Sequence, residues 1–376
     1  MALIIAVACL QTVPCEAGER IWLEAAINGK KVRLVFDSGS SDCVLTTEAA
    51  QKLRLKFIPA ATKDPAIGVL AGNTDECLLN LGGTDCKTSF ILLDWPPYAR
   101  ADFDGLIGWP MFSRSVFRID AAADEIEFLT KLPKRTSQWA QLTLLTNSSV
   151  LDLQVLHSNG SNGVLSVDTG SYLGLELPPQ QWTRWKEMHP QIPITLGTAF
   201  SPNDGFYVYE EAWADQISVG PIVLTGVPIA SSGYGNVKRL GEQYEGTLGL
   251  AALKRLDVII DGYYNGVAFL RSKKTAPLLY SYNRLGAVFV PTFEHTNEGV
   301  ARVVKGSPAY EAGIHNGDVL LKVDDAPAKG WDWSWLHRFN MKAGTKLKLT
   351  LKREGKEFQT TATLREILRS NSKANN

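Results

Sequence analysis

Two stretches of this chain carry one phrase: Val35-Phe36-Asp37-Ser38-Gly39-Ser40 and Ser166-Val167-Asp168-Thr169-Gly170-Ser171. Each reads as an apolar strand that ends in Asp-(Ser/Thr)-Gly-Ser. Taken singly, such a tetrapeptide is a common hydrogen-bonded turn, because short hydroxyl and carboxylate side chains bond the backbone just ahead of them. A second copy changes the reading. Two copies can bring one carboxylate from each half of a chain beside the other across an approximate twofold axis, an arrangement that activates water against an amide.

The repeat extends beyond the turns. Asp104-Gly105-Leu106-Ile107-Gly108 through Ile119-Asp120 and Phe128-Leu129 aligns without a gap on Glu245-Gly246-Thr247-Leu248-Gly249 through Ile260-Asp261 and Phe269-Leu270. Arg114 and Arg255 also coincide. Self-similarity of this kind marks two copies of one structural unit. Asp120 and Asp261 begin turns (Asp120-Ala121-Ala122 and Asp261-Gly262-Tyr263) and read as structural. Asp104 and Glu245 match in charge and are assigned to the starts of their loops.

The paired Asp-Ser/Thr-Gly turns, each followed by Leu106-Ile107-Gly108 or Thr247-Leu248-Gly249, resemble retropepsin-like aspartic proteases. Thr247 departs from that pattern, although a β-branched residue still suits a strand. The resemblance covers residues 19–130 and 139–271. It implies a mainly β fold of two tandem β-barrel lobes forming a pseudodimer, with Asp37 and Asp168 as the catalytic pair. Gly39 and Gly170 would let the turns approach the carboxylates, and Ser38 and Thr169 would cross-link the two turns. Ser40 and Ser171 would each donate a hydroxyl to a carboxylate and favour its charged form, so an acidic to mildly acidic optimum is expected. Hairpin flaps are expected at 66–72 and 196–206. No metal or other cofactor is implied, and the substrate would be a polypeptide.

A third unit spans residues 279–367. Gly306-Ser307-Pro308-Ala309, then Ala312-Gly313-Ile314 and Gly317-Asp318-Val319, punctuates a short helix between strands. This resembles a PDZ domain of the bacterial, protease-associated kind. The resemblance implies peptide capture by strand addition along 286–290, beside a helix near 334–340. The carboxylate-binding loop would draw on Leu285, Gly286, Ala287 and Val288. Trp331, Trp333 and Trp335 would pack that helix.

Composition excludes several classes. The 376 residues carry 39 basic and 39 acidic side chains, so the electrostatic footprint of a nucleic-acid binder is absent. The five histidines are scattered and no Cys-x-x-Cys pair occurs, which leaves little support for a metal site. The apolar run Ala2–Leu10 is too short to span a bilayer. It reads as part of a secretory signal over residues 1–18, although no positive residues precede it; a plain unfolded terminus is the alternative. A secreted or periplasmic protein of the bacterial envelope, monomeric as a catalytic unit, is the expectation, with membrane association as the alternative. Cys77 and Cys86 flank a turn and fit either a disulfide or two buried thiols. The competing functional reading is a non-catalytic peptide-binding protein on a protease scaffold.

Overall fold

In the computed structural model, Asn28-Gly29 turns the chain back on itself, with φ of +49° and +79° at the two positions. Two successive residues with positive φ make the tight hairpin turn that Asn-Gly favours. It pairs Trp22–Ile27 with Lys30–Asp37. The structure describes residues 20–60, 70–94, 103–133, 136, 139–157, 159–201, 205–232, 240–273, 278–291, 298–328 and 337–368. The expected signal segment and the three tryptophans at 331–335 lie outside them, as do residues 66–69 of the first expected flap.

Within the first lobe, Lys30–Asp37 runs parallel to Gly105–Gly108, which also pairs antiparallel with Val44–Thr46; that strand runs parallel to Ile91–Leu93. In the second lobe the same order recurs. Asn162–Val167 runs parallel to Tyr244–Leu248, which pairs antiparallel with Leu175–Leu177, which runs parallel to Ile222–Ser231. A helix follows the same strand in each lobe, Thr47–Leu53 in one and Pro179–Met188 in the other. The first is capped by the Thr46 hydroxyl, which accepts from Ala49 N at 3.0 Å. The second starts at Pro178-Pro179, where proline suits a helix N-terminus because its missing N–H would be unpaired there anyway.

The lobes join edge to edge. Val116–Asp120 pairs antiparallel with Leu256–Asp261, placing Arg118 opposite Ile259, its own counterpart in the repeat. Phe117 opposite Ile260 and Ile119 opposite Val258 are then equivalent pairs. That register is what a twofold axis through the Arg118–Ile259 pair generates. One continuous apolar core runs through both lobes and includes Phe36, Phe117, Leu165 and Ile260. Asp120 and Asp261 accept backbone N–H bonds from their own turns, Asp120 from Ala122 and Ala123, Asp261 from Tyr264. Cys77 lies opposite Thr88 and Cys86 opposite Leu79, so the two sulfurs are offset along the ladder; both are buried free thiols and not a disulfide.

The third unit has its own core, built on Leu285, Phe289, Ile314, Leu320, Phe339 and Leu349. Its sheet runs Ala287–Val290, Gly299–Val303, Val319–Val323, Lys346–Arg353, Lys356–Thr363. Ser307 caps the helix Pro308–Glu311 that follows it. The unit docks on the second lobe through Tyr280 and Tyr282. The Tyr280 ring packs near Trp213, and its hydroxyl donates to buried Glu211.

Burial pushes the Glu211 carboxyl up to about 8, against the weaker opposing effect of the Tyr280 hydroxyl. A raised carboxyl is neutral in the fold while the unfolded chain ionises, so it lowers stability progressively from about pH 4.5 to about pH 8. Glu211→Gln removes that slope. The melting temperature of wild type is expected to fall relative to the variant across this window, measured by thermal denaturation at stepped pH.

Candidate active site

Asp37 and Asp168 occupy equivalent places, each at the end of the strand whose parallel neighbour leads into the apolar-apolar-Gly segment. Asp37 lies opposite Gly108 in that register, and Asp168 N donates to Leu248 O at 3.0 Å. The loops after the two turns are tied down alike: Trp109 N donates to Ser40 O at 2.9 Å, and Leu250 N to Ser171 O at 2.8 Å.

The two turns are bolted together by a reciprocal set of hydrogen bonds. Ser38 N donates to Thr169 Oγ1 and Thr169 N to Ser38 Oγ, both at 3.0 Å. Each hydroxyl then donates onward to the opposite strand, Ser38 Oγ to Val167 O at 2.7 Å and Thr169 Oγ1 to Phe36 O at 2.8 Å. Both side chains are fully buried. A hydroxyl is required here because each oxygen accepts one bond and donates another.

The cross-link sets the carboxylates face to face. A Cβ placed on Gly39 would lie 2.5 Å from Asp168 Cγ, and one on Gly170 would lie 2.5 Å from Asp37 Cγ. Only glycine leaves room for the carboxyl of the other lobe. Gly39 N donates to Asp37 Oδ1 at 2.9 Å, and Gly170 N to Asp168 Oδ1 at 2.8 Å. The carboxyl groups are within hydrogen-bonding reach of one another and densely surrounded by protein, though each keeps an edge exposed.

Burial holds Asp37 well above the ordinary carboxylate range, and the charge of Asp168 adds to it. Burial raises Asp168 as well, while the N–H of Gly170, the contact with Asp37 and the N–H of Ser171 pull it back. Two acids this close cannot both ionise cheaply, so they titrate as a pair that shares a proton.

The hydroxyls of Ser40 and Ser171 go elsewhere than expected. Ser40 Oγ donates to Asp42 O at 3.0 Å, and Ser171 Oγ donates to Glu176 Oε1 at 3.0 Å. Both residues support the carboxylates through backbone N–H instead; Ser171 N lies 3.2 Å from Asp168 Oδ1. The turn is too tight for its fourth side chain to fold back, so the hydroxyls bond the loops that follow. The acid shift expected from them has no basis in this geometry.

Of the second expected flap, residues 196–201 and 205–206 fall in the pairing of Thr195–Ser201 with Gly205–Val219 at the edge of the second-lobe sheet, and residues 202–204 lie outside the described residues. The base of this hairpin is held by the PDZ-like unit. Asn283 Nδ2 donates to Leu196 O at 3.0 Å, and Thr195 Oγ1 donates to Asn283 O at 2.7 Å. The Asn283 Oδ1 atom accepts from Leu285 N at 2.9 Å and Gly286 N at 3.1 Å, while Nδ2 also donates to Ala287 O at 2.7 Å. Leu285, Gly286, Ala287 and Val288, expected to form the carboxylate-binding loop, are all buried. Two of the loop N–H groups expected to meet a peptide carboxylate are occupied by the protein's own carboxamide. A cavity of about 510 Å³, apart from the Asp pair, lies between this hairpin and the PDZ-like sheet, lined by Leu196, Val208, Val290 and Arg302 among others.

Sequence reading missed Asn283 and Glu176. Asn283 has no motif of its own. Glu176 did carry a signal, a lone acid in the apolar run Leu173–Leu177, followed by the Thr247 departure.

A family model for aspartyl proteases matches residues 23–110, and a second, for PDZ domains, matches residues 284–364. The search of curated proteins found no match to the chain. The chain thus carries a retropepsin-like aspartyl protease domain followed by a PDZ domain. The protease match lies within the first lobe; the second lobe repeats its strand order.

Thr169→Ala strips partners from Ser38 N and Phe36 O, both buried, and is expected to destabilise the protein by about 3 kcal/mol. Thr169→Ser keeps both bonds and is expected to lie within about 1 kcal/mol of wild type by the same reasoning. Equilibrium denaturation of the two variants measures the difference.

Proposed function

We propose that the protein is an aspartic endopeptidase in which Asp37 and Asp168 activate one water against a peptide bond. The observation that carries this reading is the mutual approach of the two turns, each glycine lying against the other lobe's carboxyl. With one proton between them, the ionised member takes a proton from the bridging water as it attacks the scissile carbonyl. The protonated member hydrogen-bonds the carbonyl oxygen as it becomes tetrahedral. Collapse of that intermediate returns a proton to the leaving nitrogen. Each carboxyl accepts two backbone N–H bonds from its own turn, so the roles of acid and base belong to the pair as a unit. No covalent intermediate is needed. Because burial raises both groups, the singly protonated pair extends upward in pH, and a mildly acidic to near-neutral optimum follows.

Catalysis by this pair requires both carboxyls. Asp37→Asn keeps the volume and removes the acid, and is expected to abolish cleavage of casein or a peptide library from pH 3 to pH 8. Equal turnover in wild type and variant overturns the reading. No turnover in either favours a peptide-binding protein instead.

The PDZ domain regulates or recruits polypeptide substrate in this reading, and Asn283 supports it. One carboxamide holds both the carboxylate loop and the base of the hairpin beside the cleft, so a peptide carboxylate entering the loop must displace it and loosen the hairpin. A secreted or periplasmic setting is part of the same proposal and rests on the apolar run Ala2–Leu10. Asn283→Ala frees the loop N–H groups. Peptides with a free C-terminal carboxylate are expected to bind the variant several-fold more tightly than wild type, while amidated peptides gain nothing. Fluorescence polarisation reads both.

A further inference from the structure

The two lobes differ at one cross-strand pair beside the Asp pair. In the first lobe Val44 lies opposite Leu106, within a small apolar cluster that includes Ile91 and Leu93. In the second lobe Glu176 lies opposite Thr247, and Leu106 and Thr247 hold the same place in the repeat. A carboxyl and a hydroxyl have replaced two apolar side chains in one lobe only. Thr247 is buried with its hydroxyl 2.8 Å from the Tyr244 hydroxyl, and Glu176 is 8 % exposed.

We propose that Glu176 is a positioning residue that acts on Asp168, directly by its charge and through Ser171, and holds the shared proton of the Asp pair to higher pH. This rests on the endopeptidase reading. Ser171 links the two acids: its N–H donates to Asp168 Oδ1 at 3.2 Å, and its hydroxyl donates to Glu176 Oε1 at 3.0 Å.

The surroundings of Glu176 set the sign. Asp168 and Ser171 act on it from the loop before its strand, and burial followed by the Asp168 charge pushes its carboxyl up to about 7. From Gly205–Val219 it meets the neutral Tyr207 phenol, which Tyr172 and Tyr244 also flank. Across the strand pairing stand Thr247 and Ala230, neither of them charged. Among the described residues no basic side chain acts on it. Glu176 is therefore neutral in acid and becomes a second negative charge beside the singly protonated Asp pair near neutrality. A nearby negative charge disfavours loss of the last proton from the Asp pair, so the alkaline limb of activity moves up and the acid limb stays in place.

The test compares the pH dependence of peptide cleavage by the full-length wild type and Glu176→Gln. Gln keeps an acceptor for the Ser171 hydroxyl and never ionises. The alkaline limb is expected to move down by roughly 1 pH unit, with the acid limb unmoved. A Glu176→Val variant, which restores the residue of the first lobe, is expected to shift the same limb and also to lose the bond to Ser171. Coincident profiles for wild type and Glu176→Gln overturn the proposal.

A second measurement does not need cleavage. In a double-mutant cycle of Glu176→Gln and Asp168→Asn, thermal stability is followed from pH 5 to pH 8. The stabilisation from Glu176→Gln is expected to grow with pH in wild type and to grow less steeply in the Asp168→Asn background, where burial alone still raises the Glu176 carboxyl. Additive effects at every pH overturn the coupling. If wild type cleaves nothing, the endopeptidase reading fails, and the cycle still decides whether Glu176 acts on Asp168.

Discussion

The reciprocal bonds between Ser38 and Thr169 are the constraint on which the rest of the site depends. Each turn supplies what the other lacks: a backbone N–H to one side, a hydroxyl to the other, and a carbonyl behind it. Both buried hydroxyls find their partners across the interface between the lobes, so these groups are satisfied in the fold by the lobes meeting. Once they meet, the glycines fix the separation of the carboxyls. The raised pKa values of Asp37 and Asp168 follow from this geometry, because close approach and burial both penalise a second charge.

Much of this was legible in the sequence because it is written there twice. The paired Asp turns, their apolar-apolar-Gly partners and the Asn28-Gly29 hairpin are local patterns whose chemistry is fixed by a few adjacent residues. The helix over 178–188 was readable for the same reason, with Pro at its start and Trp182 and Trp185 on its buried face. What the sequence did not give was the destination of side chains one residue beyond a motif. Ser40 and Ser171 share a type and a position, yet their hydroxyls end on a backbone carbonyl in one lobe and a glutamate in the other. That choice is made by the loops that follow, which differ in length by one residue between the lobes.

The PDZ unit shows the same division. Its glycine punctuation marks strands and helix, because a turn needs its special residues wherever it occurs. The closure of its loop by Asn283 depends on a neighbouring lobe that no local pattern can report. A single buried amide reaches both bodies, so the position of the hairpin and the state of the loop are coupled through four polar contacts of one side chain and one through its backbone carbonyl.

The pairing of Arg118 with Ile259 has a further consequence. In an assembly of two identical subunits, the residue on the dyad axis must face a copy of itself, and every substitution is felt twice. Here the chain is continuous across that axis, so the facing residues are free to differ, and an arginine can sit against an isoleucine. Dilution cannot separate the halves, and inheritance can alter one of them while sparing the other.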